Sequence, residues 1–253
     1  MFVKKLIVYF CPLLVLVGLE LFSYDLNFIY YLSALLLVIL TISLKVLIRA
    51  RFFSRDFWGL AILPILLLIT TIGILLLITS GLAEHLIIIS LAVVLAVYLE
   101  NIYTYFYNPS MYQPFSFENL SAFFNLIIFV LTVIDLTAFN VFLNLPIWLL
   151  SLLFLLMLTV LLDQALWVNK INNNLKYIYL LIVDLIILEV YWAMSFLPSN
   201  FYANSIIISL VFYLTWGIFK AKLTDRLTKK ILLSYVAISL TLLFIIVITS
   251  HWT

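Results

Sequence analysis

The stretch FWGLAILPILLLITTIGILLLIT, residues 57–79, decides the class of fold because it is predominantly apolar and carries no charged side chain. A helix needs about 20 apolar residues to cross the roughly 30 Å hydrocarbon layer of a bilayer. Only helices and closed barrels satisfy their backbone hydrogen bonds in lipid. A barrel strand alternates apolar with polar residues, whereas Ile74–Leu77 and Ile87–Ile89 do not alternate. The stretch is therefore predicted to be a membrane-spanning helix.

Further stretches of the same kind fill most of the chain, and the breaks between them are short and rich in turn residues, such as Asn108–Ser110 and Asn172–Asn174. No break is long enough to hold a soluble domain. We therefore predict an all-α fold, a polytopic integral membrane bundle of about nine transmembrane helices that forms a single domain over residues 1–253. The predicted spans are 6–22, 28–48, 57–79, 86–107, 118–142, 146–168, 177–197, 202–220 and 231–250.

The composition excludes several classes of protein. The chain is 67% hydrophobic and 9% charged, whereas soluble domains are about half apolar and about a quarter charged. A net charge of +2 without a basic region argues against a nucleic-acid partner, and the single cysteine excludes an intrachain disulfide framework. The expected partner is the lipid bilayer, as a multi-pass protein of the plasma or inner membrane.

The 13 lysines and arginines test the number of spans, because positive residues concentrate in cytoplasmic loops. With nine spans and a cytoplasmic N-terminus, all of them fall on the cytoplasmic side. One span more or fewer between the basic clusters would break this agreement. The sequence thus predicts a cytoplasmic N-terminus and a C-terminus outside. The loop 108–117 carries no basic residue, so the parity of the spans alone places it on the cytoplasmic side.

Ionisable residues inside the spans are the main pointers to function. A charged group at the centre of the bilayer costs about 2.5–3.5 kcal/mol, so such side chains are predicted to face the bundle interior. Helical spacing places Asn125 and Asp135 on one stripe of the fifth span, and Asp184 and Tyr191 on one stripe of the seventh. Glu189 points away from that second stripe. The candidate residues for binding a substrate or an ion are Asp135, Asp163, Asp184, Glu189, Glu100 and Asn125.

Carboxylates at several depths are what a proton or cation path requires. They favour a small transporter for a proton, a cation or an amine-bearing substrate. Alternatively, the same side chains only hydrogen-bond between helices, and the protein is a non-catalytic subunit or scaffold that packs against a protein partner. A lipid-modifying enzyme with carboxylate acid–base residues is a third interpretation, although the chain lacks the H-E-x-x-H, G-x-S-x-G and phosphate-loop motifs. No cofactor or metal site is predicted.

The segment from Tyr103 to Phe117 is unusually aromatic and contains two prolines, Pro109 and Pro114. Aromatic residues collect at the membrane–water interface, so an interfacial loop is the plain interpretation. A docking surface for lipid headgroups or for a partner subunit is the alternative.

Overall fold

A computed structural model describes residues 2–24, 29–78, 80–171, 175–197 and 200–249. These residues form nine α-helices and one short 3₁₀ turn at Pro109–Met111, with no strand among them. The helices are α1 (Phe2–Tyr24), α2 (Ile29–Leu47), α3 (Arg55–Leu75), α4 (Gly81–Tyr107), α5 (Ser116–Leu143), α6 (Ile147–Val168), α7 (Lys176–Ser195), α8 (Phe201–Leu223) and α9 (Lys229–Thr249).

The prediction of an all-α polytopic membrane bundle is confirmed. Within the described residues, eight helices, α2 to α9, are long and apolar enough to cross a membrane. The helix α1, which begins with Lys4 and Lys5 in its first turn, is not among these eight. The count of nine spans and the placement of the two termini therefore stay predictions.

Most helix boundaries differ from the predicted spans by a few residues. The helix α3 ends at Leu75, short of Thr79, because the next N–H groups donate to carbonyls three residues back, Leu76 to Gly73 at 3.2 Å and Leu77 to Ile74 at 2.9 Å. Such tightening into a 3₁₀ turn commonly ends an α-helix. The helix α4 begins at Gly81, ahead of the predicted start. Three of the predicted boundaries, Phe28, Thr79 and Ser250, lie outside the described residues.

The chain divides into two compact units, Met1–Phe124 and Asn125–Thr253, and the boundary falls inside α5. In the first unit, α1 packs against α2 and α4, and α3 packs against the same two helices. The buried Tyr98 of α4 donates a hydrogen bond of 2.7 Å to the Leu60 carbonyl of α3. The prediction of a single domain stays a prediction.

Basic residues mark one end of the first unit. Lys4 Nζ donates a 2.8 Å hydrogen bond to the Tyr107 hydroxyl, and the Arg49 guanidinium lies 4.3 Å from the centre of the Tyr107 ring. The start of α1, the connection between α2 and α3, and the end of α4 therefore meet at this end. The loop after Tyr107 thus lies beside basic segments, and its cytoplasmic placement stays a prediction.

An aromatic layer joins four helices of the second unit. The Tyr191 ring of α7 stacks on Phe154 of α6 at 4.5 Å, and Phe154 lies 5.8 Å from Phe129 of α5. Phe129 in turn stacks on Phe212 of α8 at 4.0 Å. The helices α6, α7, α8 and α9 also pack in sequence, each against the next. The interior of this unit is therefore filled by aromatic rings at the level of Phe154.

Two of its helices end in the same backbone motif. After α6, Ile171 N–H donates to Leu166 and Lys170 N–H to Trp167; after α8, Arg226 N–H donates to Ala221 and Asp225 N–H to Lys222. These paired bonds define the Schellman motif, whose C′ residue adopts the left-handed conformation. Lys170 and Asp225 have φ of 52° and 54°. The chain thus turns back sharply after each helix without using a glycine.

The contact between α8 and α9 depends on Gly217. A Cβ atom at this position would overlap the ring of Tyr235 on α9. We expect Gly217→Ala to push the ring aside and to lower the free energy of unfolding by about 1–3 kcal/mol, the usual cost of overpacking. Thermal unfolding in detergent measures the effect. Gly81→Ala is the matched control, because no atom lies within 4 Å of a Cβ placed there. Equal melting temperatures for the two variants would contradict this account of the α8–α9 contact.

Candidate functional site

The six predicted residues lie in three kinds of environment. Asn125, Asp135 and Asp184 are buried, with Asp135 and Asp184 each only 6% exposed. Asp163 is half-buried on α6, whereas Glu189 is exposed on α7. Glu100 is exposed in the first unit and lines a cleft there. Three of the six predicted residues are therefore buried, and the other three are partly or fully exposed.

Asp184 lies near the middle of α7 and contacts the middle of α6. The hydroxyl oxygen of Thr159, on α6, lies 3.0 Å from Asp184 Oδ2 and 2.8 Å from the Leu155 carbonyl oxygen. A hydroxyl group carries one hydrogen, so it either shares this hydrogen between the two acceptors or donates it to one of them. Each contact becomes a separate hydrogen bond when Asp184 carries a proton and donates it to Thr159. The protonated, neutral form of Asp184 therefore fits the two contacts of the Thr159 hydroxyl group.

The second carboxyl oxygen of Asp184 remains available. Asp184 Oδ1 is buried and has no hydrogen-bond partner among the described residues. A buried charge without a partner is costly, because the hydration that it loses is not replaced. This atom can receive a proton, or a hydrogen bond from a bound molecule, without breaking an existing contact.

Two layers of contacts flank Asp184 along the helix axes. Thr159 is five residues from Phe154 and five from Gln164 on the same helix, which places each about 7.5 Å away along α6. Phe154 belongs to the aromatic layer. On the other side, Asn125 Nδ2 of α5 donates a 2.8 Å hydrogen bond to Gln164 Oε1. The carboxyl group thus lies at a depth between an aromatic layer and an amide pair.

Tyr191 was placed on the polar stripe of the seventh span but was not among the candidate residues. It is 1% exposed, and its hydroxyl oxygen has no hydrogen-bond partner among the described residues. It follows Asp184 by two helical turns, which is about 10 Å along α7. Its ring forms part of the aromatic layer, so this layer has one polar atom on the face of α7 that carries Asp184.

Asp135 is buried at a different depth from Asp184. Its Oδ1 also lacks a hydrogen-bond partner within the described part of the chain. Thr137 Oγ1 lies 2.9 Å from Ser205 Oγ, and Asn204 donates to the Met194 carbonyl. Thr137 and Ser205 therefore lie at about the same depth in the unit, and so do Asn204 and Met194. When residues are counted along each helix from these contacts, Asp135 lies within about 3 Å of the depth of Tyr191. Asp135 is therefore roughly 10 Å farther along the unit than Asp184.

Gln164 was missed by sequence reasoning, although a signal was present. It is buried and is the one glutamine inside a predicted span. It follows Asp163 directly, and a carboxylate draws more attention than an amide. The hydrogen bond to Asn125 could not be derived from either residue alone, because it joins positions 39 residues apart.

Glu100 belongs to a separate, polar cleft in the first unit. The cleft has a volume of about 370 Å³ and includes Lys5, Tyr9, Glu100, Asn101 and Tyr112 in its lining. The Tyr9 hydroxyl donates to Glu100 Oε1 at 3.3 Å. Glu100 is the one carboxylate among the lining residues, so the cleft does not assemble the pair of carboxylates that the lipid-modifying enzyme was expected to use. Burial raises the pKa of the Tyr112 phenol, so its hydroxyl hydrogen is retained.

The side chain of His85 lies against a carboxylate of α1 in the first unit. His85 Nδ1 lies 2.8 Å from Glu20 Oε2. Nowhere in the described ranges do three side chains of His, Cys, Asp or Glu come together as a metal site would require.

Residues 12–250 match the family described as "Protein of unknown function (DUF5656)", and the chain belongs to this family. Searches of curated proteins and of solved structures found no match.

The amide pair of α5 and α6 gives a test of the geometry. We expect Asn125→Leu and Gln164→Leu each to lower the free energy of unfolding by about 1–3 kcal/mol, because each removes one partner of a buried hydrogen bond. The double variant should lose less than the sum, with a coupling of about 0.5–1.5 kcal/mol. Chemical unfolding of the four proteins in mixed micelles measures both quantities. Strictly additive losses would show that the two amides do not interact.

Proposed function

We propose that this multi-pass membrane protein is a small transporter that carries protons, and that Asp184 is its proton-binding group. The observation that supports the proposal best is the arrangement of Asp184, Thr159 and the Leu155 carbonyl oxygen, in which each contact becomes a separate hydrogen bond when the carboxyl group is protonated. Ionisable residues at such depth are costly, and in membrane proteins they typically mark ion or proton pathways.

A proton fits the surroundings of Asp184 better than a metal cation does. A hard cation such as calcium takes about six to eight oxygen ligands. Asp184 has the Thr159 hydroxyl group as its hydrogen-bonding neighbour, and Thr159 also contacts the Leu155 carbonyl oxygen. A proton requires only one oxygen atom, and on Oδ2 it can be donated to the Thr159 hydroxyl oxygen.

The packing around the carboxyl group favours a carrier over an open channel. The aromatic layer on one side and the Asn125–Gln164 pair on the other place side chains in contact across the helices at those two depths. A proton on Asp184 can exchange with water only when one of these layers separates. Opening one layer at a time would expose the site alternately to the two sides of the membrane, as transporters require.

Asp135 is the second proton-binding group in this proposal. It is buried and has an oxygen atom without a hydrogen-bond partner among the described residues. Its depth differs from that of Asp184 by roughly 10 Å, which is too far for direct proton transfer. Transfer between the two groups therefore needs water or a movement of the helices, in agreement with a gated carrier.

The test is proton flux into liposomes that contain the purified full-length protein and a trapped pH-sensitive dye. After a pH step outside, the parent protein should acidify the interior faster than empty liposomes do. Asp184→Asn should abolish this difference, because an amide cannot take up and release a proton, and Asp135→Asn should reduce it strongly. Glu189→Gln is the matched control, since Glu189 is an exposed carboxylate on the same helix, and its variant should retain the parent flux.

Three results would overturn the proposal. Flux through the parent protein equal to that of empty liposomes would show that the protein does not transport protons. Parent-like flux through Asp184→Asn would show that Asp184 is not the proton-binding group. An equal loss in Glu189→Gln would show that any change of charge on α7 has this effect, so that the buried position of Asp184 carries no special role.

A further inference from the structure

The polar cleft of the first unit continues into an apolar groove. The cleft is formed by the first turns of α1, the last turns of α4 and the connection from Asn108 to Ser116. A second depression, of about 520 Å³, is lined by Lys5, Leu6, Tyr9, Phe10 and Leu13 of α1. The two share Lys5 and Tyr9. A single elongated molecule could therefore occupy both.

The two parts of this site differ sharply in chemistry. The side chains of Leu6, Phe10 and Leu13 are about half exposed, and they form one apolar strip along the outer face of α1. The cleft beyond Tyr9 is instead lined by a cation, a carboxylate and several amide and hydroxyl groups. A polar end and an apolar strip in continuity match a molecule that has a polar headgroup and a hydrocarbon chain.

Both charges in the cleft can reach a ligand. Lys4, the neighbour of Lys5, is held by the Tyr107 hydroxyl, and Arg49 lies over the Tyr107 ring. Lys5 is exposed and has no ion pair or hydrogen bond to any described residue. Glu100 is exposed as well and receives only the long Tyr9 contact of 3.3 Å. The cleft therefore offers one positive and one negative group.

We propose that this site binds one phospholipid with an amine-bearing, zwitterionic headgroup. Lys5 binds the phosphate, Glu100 binds the ammonium group, and one acyl chain follows Leu6, Phe10 and Leu13 along α1. The volume of the cleft, about 370 Å³, falls within the range of about 300–1,000 Å³ for small-ligand pockets. An anionic lipid without an amine would leave Glu100 unpaired beside a negative headgroup. A free headgroup would leave the apolar strip empty.

The experiment is native mass spectrometry of the purified full-length protein in detergent, titrated with lipids of identical acyl chains. We expect one tightly bound phosphatidylethanolamine, weaker binding of phosphatidylglycerol, and no measurable binding of soluble phosphoethanolamine at the same concentrations. Equal affinity for the two lipids would overturn the assignment of Glu100. Binding of phosphoethanolamine as tight as that of the lipid would overturn the role of the groove.

Charge-removing variants separate the two contacts. Glu100→Gln should bind phosphatidylethanolamine no better than phosphatidylglycerol, because only the amine-bearing lipid loses a partner. Lys5→Gln should bind both lipids about tenfold or more weakly, as expected for the loss of one charge-assisted hydrogen bond to phosphate. Glu84→Gln, at the opposite end of α4, and Lys230→Gln, on α9, are the matched controls and should retain the parent preference.

Thermal unfolding of each variant shows that it is folded before the titration. Retained discrimination between the lipids in folded Glu100→Gln contradicts the proposal. So does a loss of affinity in Glu84→Gln or Lys230→Gln equal to that in the cleft variants, because net charge rather than the cleft would then govern lipid binding.

Discussion

A hydrocarbon layer offers no hydrogen-bonding partner to a peptide group, and this constraint determines most of the secondary structure of the chain. Each apolar stretch forms a helix because a helix pairs its backbone groups within one segment. The same constraint acts on the hydroxyl side chains. Thr71 donates to the Leu67 carbonyl and Thr132 to the Ile128 carbonyl, both one turn back in their own helices. Such side chains are satisfied locally and leave little to bind a ligand.

Among the described residues, some buried polar atoms are not satisfied by their own helix, and the proposed function rests on one of them. Asp184 cannot reach a backbone donor in the middle of α7, and its neighbour Thr159 already lies against the Leu155 carbonyl oxygen. The proton is the simplest addition that completes this arrangement. In the proposed transporter, the aromatic layer and the amide pair are the closed gates on either side of the proton site. The cleft of the first unit differs from this buried site. Its charged groups lie at an end of the helices, where headgroups and water can reach them.

The pattern of residues in each span predicts the helices and much of their polar faces, since both depend on spacing within one segment. Asn125 and Asp135 are buried on α5 as the helical stripe indicates. Contacts between different helices cannot be predicted from spacing within one segment. The depth shared by Asp135 and Tyr191 follows from contacts of Thr137 and Asn204 with neighbouring helices. The cleft joins Lys5, Glu100 and Ser116, which spacing along the chain cannot bring together. Glu100 was accordingly predicted as part of an interior ladder, whereas it lines an exposed cleft.

Infrared spectroscopy of the reconstituted protein tests directly whether Asp184 holds a proton inside the membrane. A protonated carboxyl group has a C=O stretching band that a carboxylate lacks. The proposal that Asp184 and Asp135 both hold protons predicts such a band at neutral pH, which weakens in Asp184→Asn, where Asp135 still contributes, and keeps its full strength in Glu189→Gln. A parent spectrum without the band, or a band unchanged by Asp184→Asn, would contradict it.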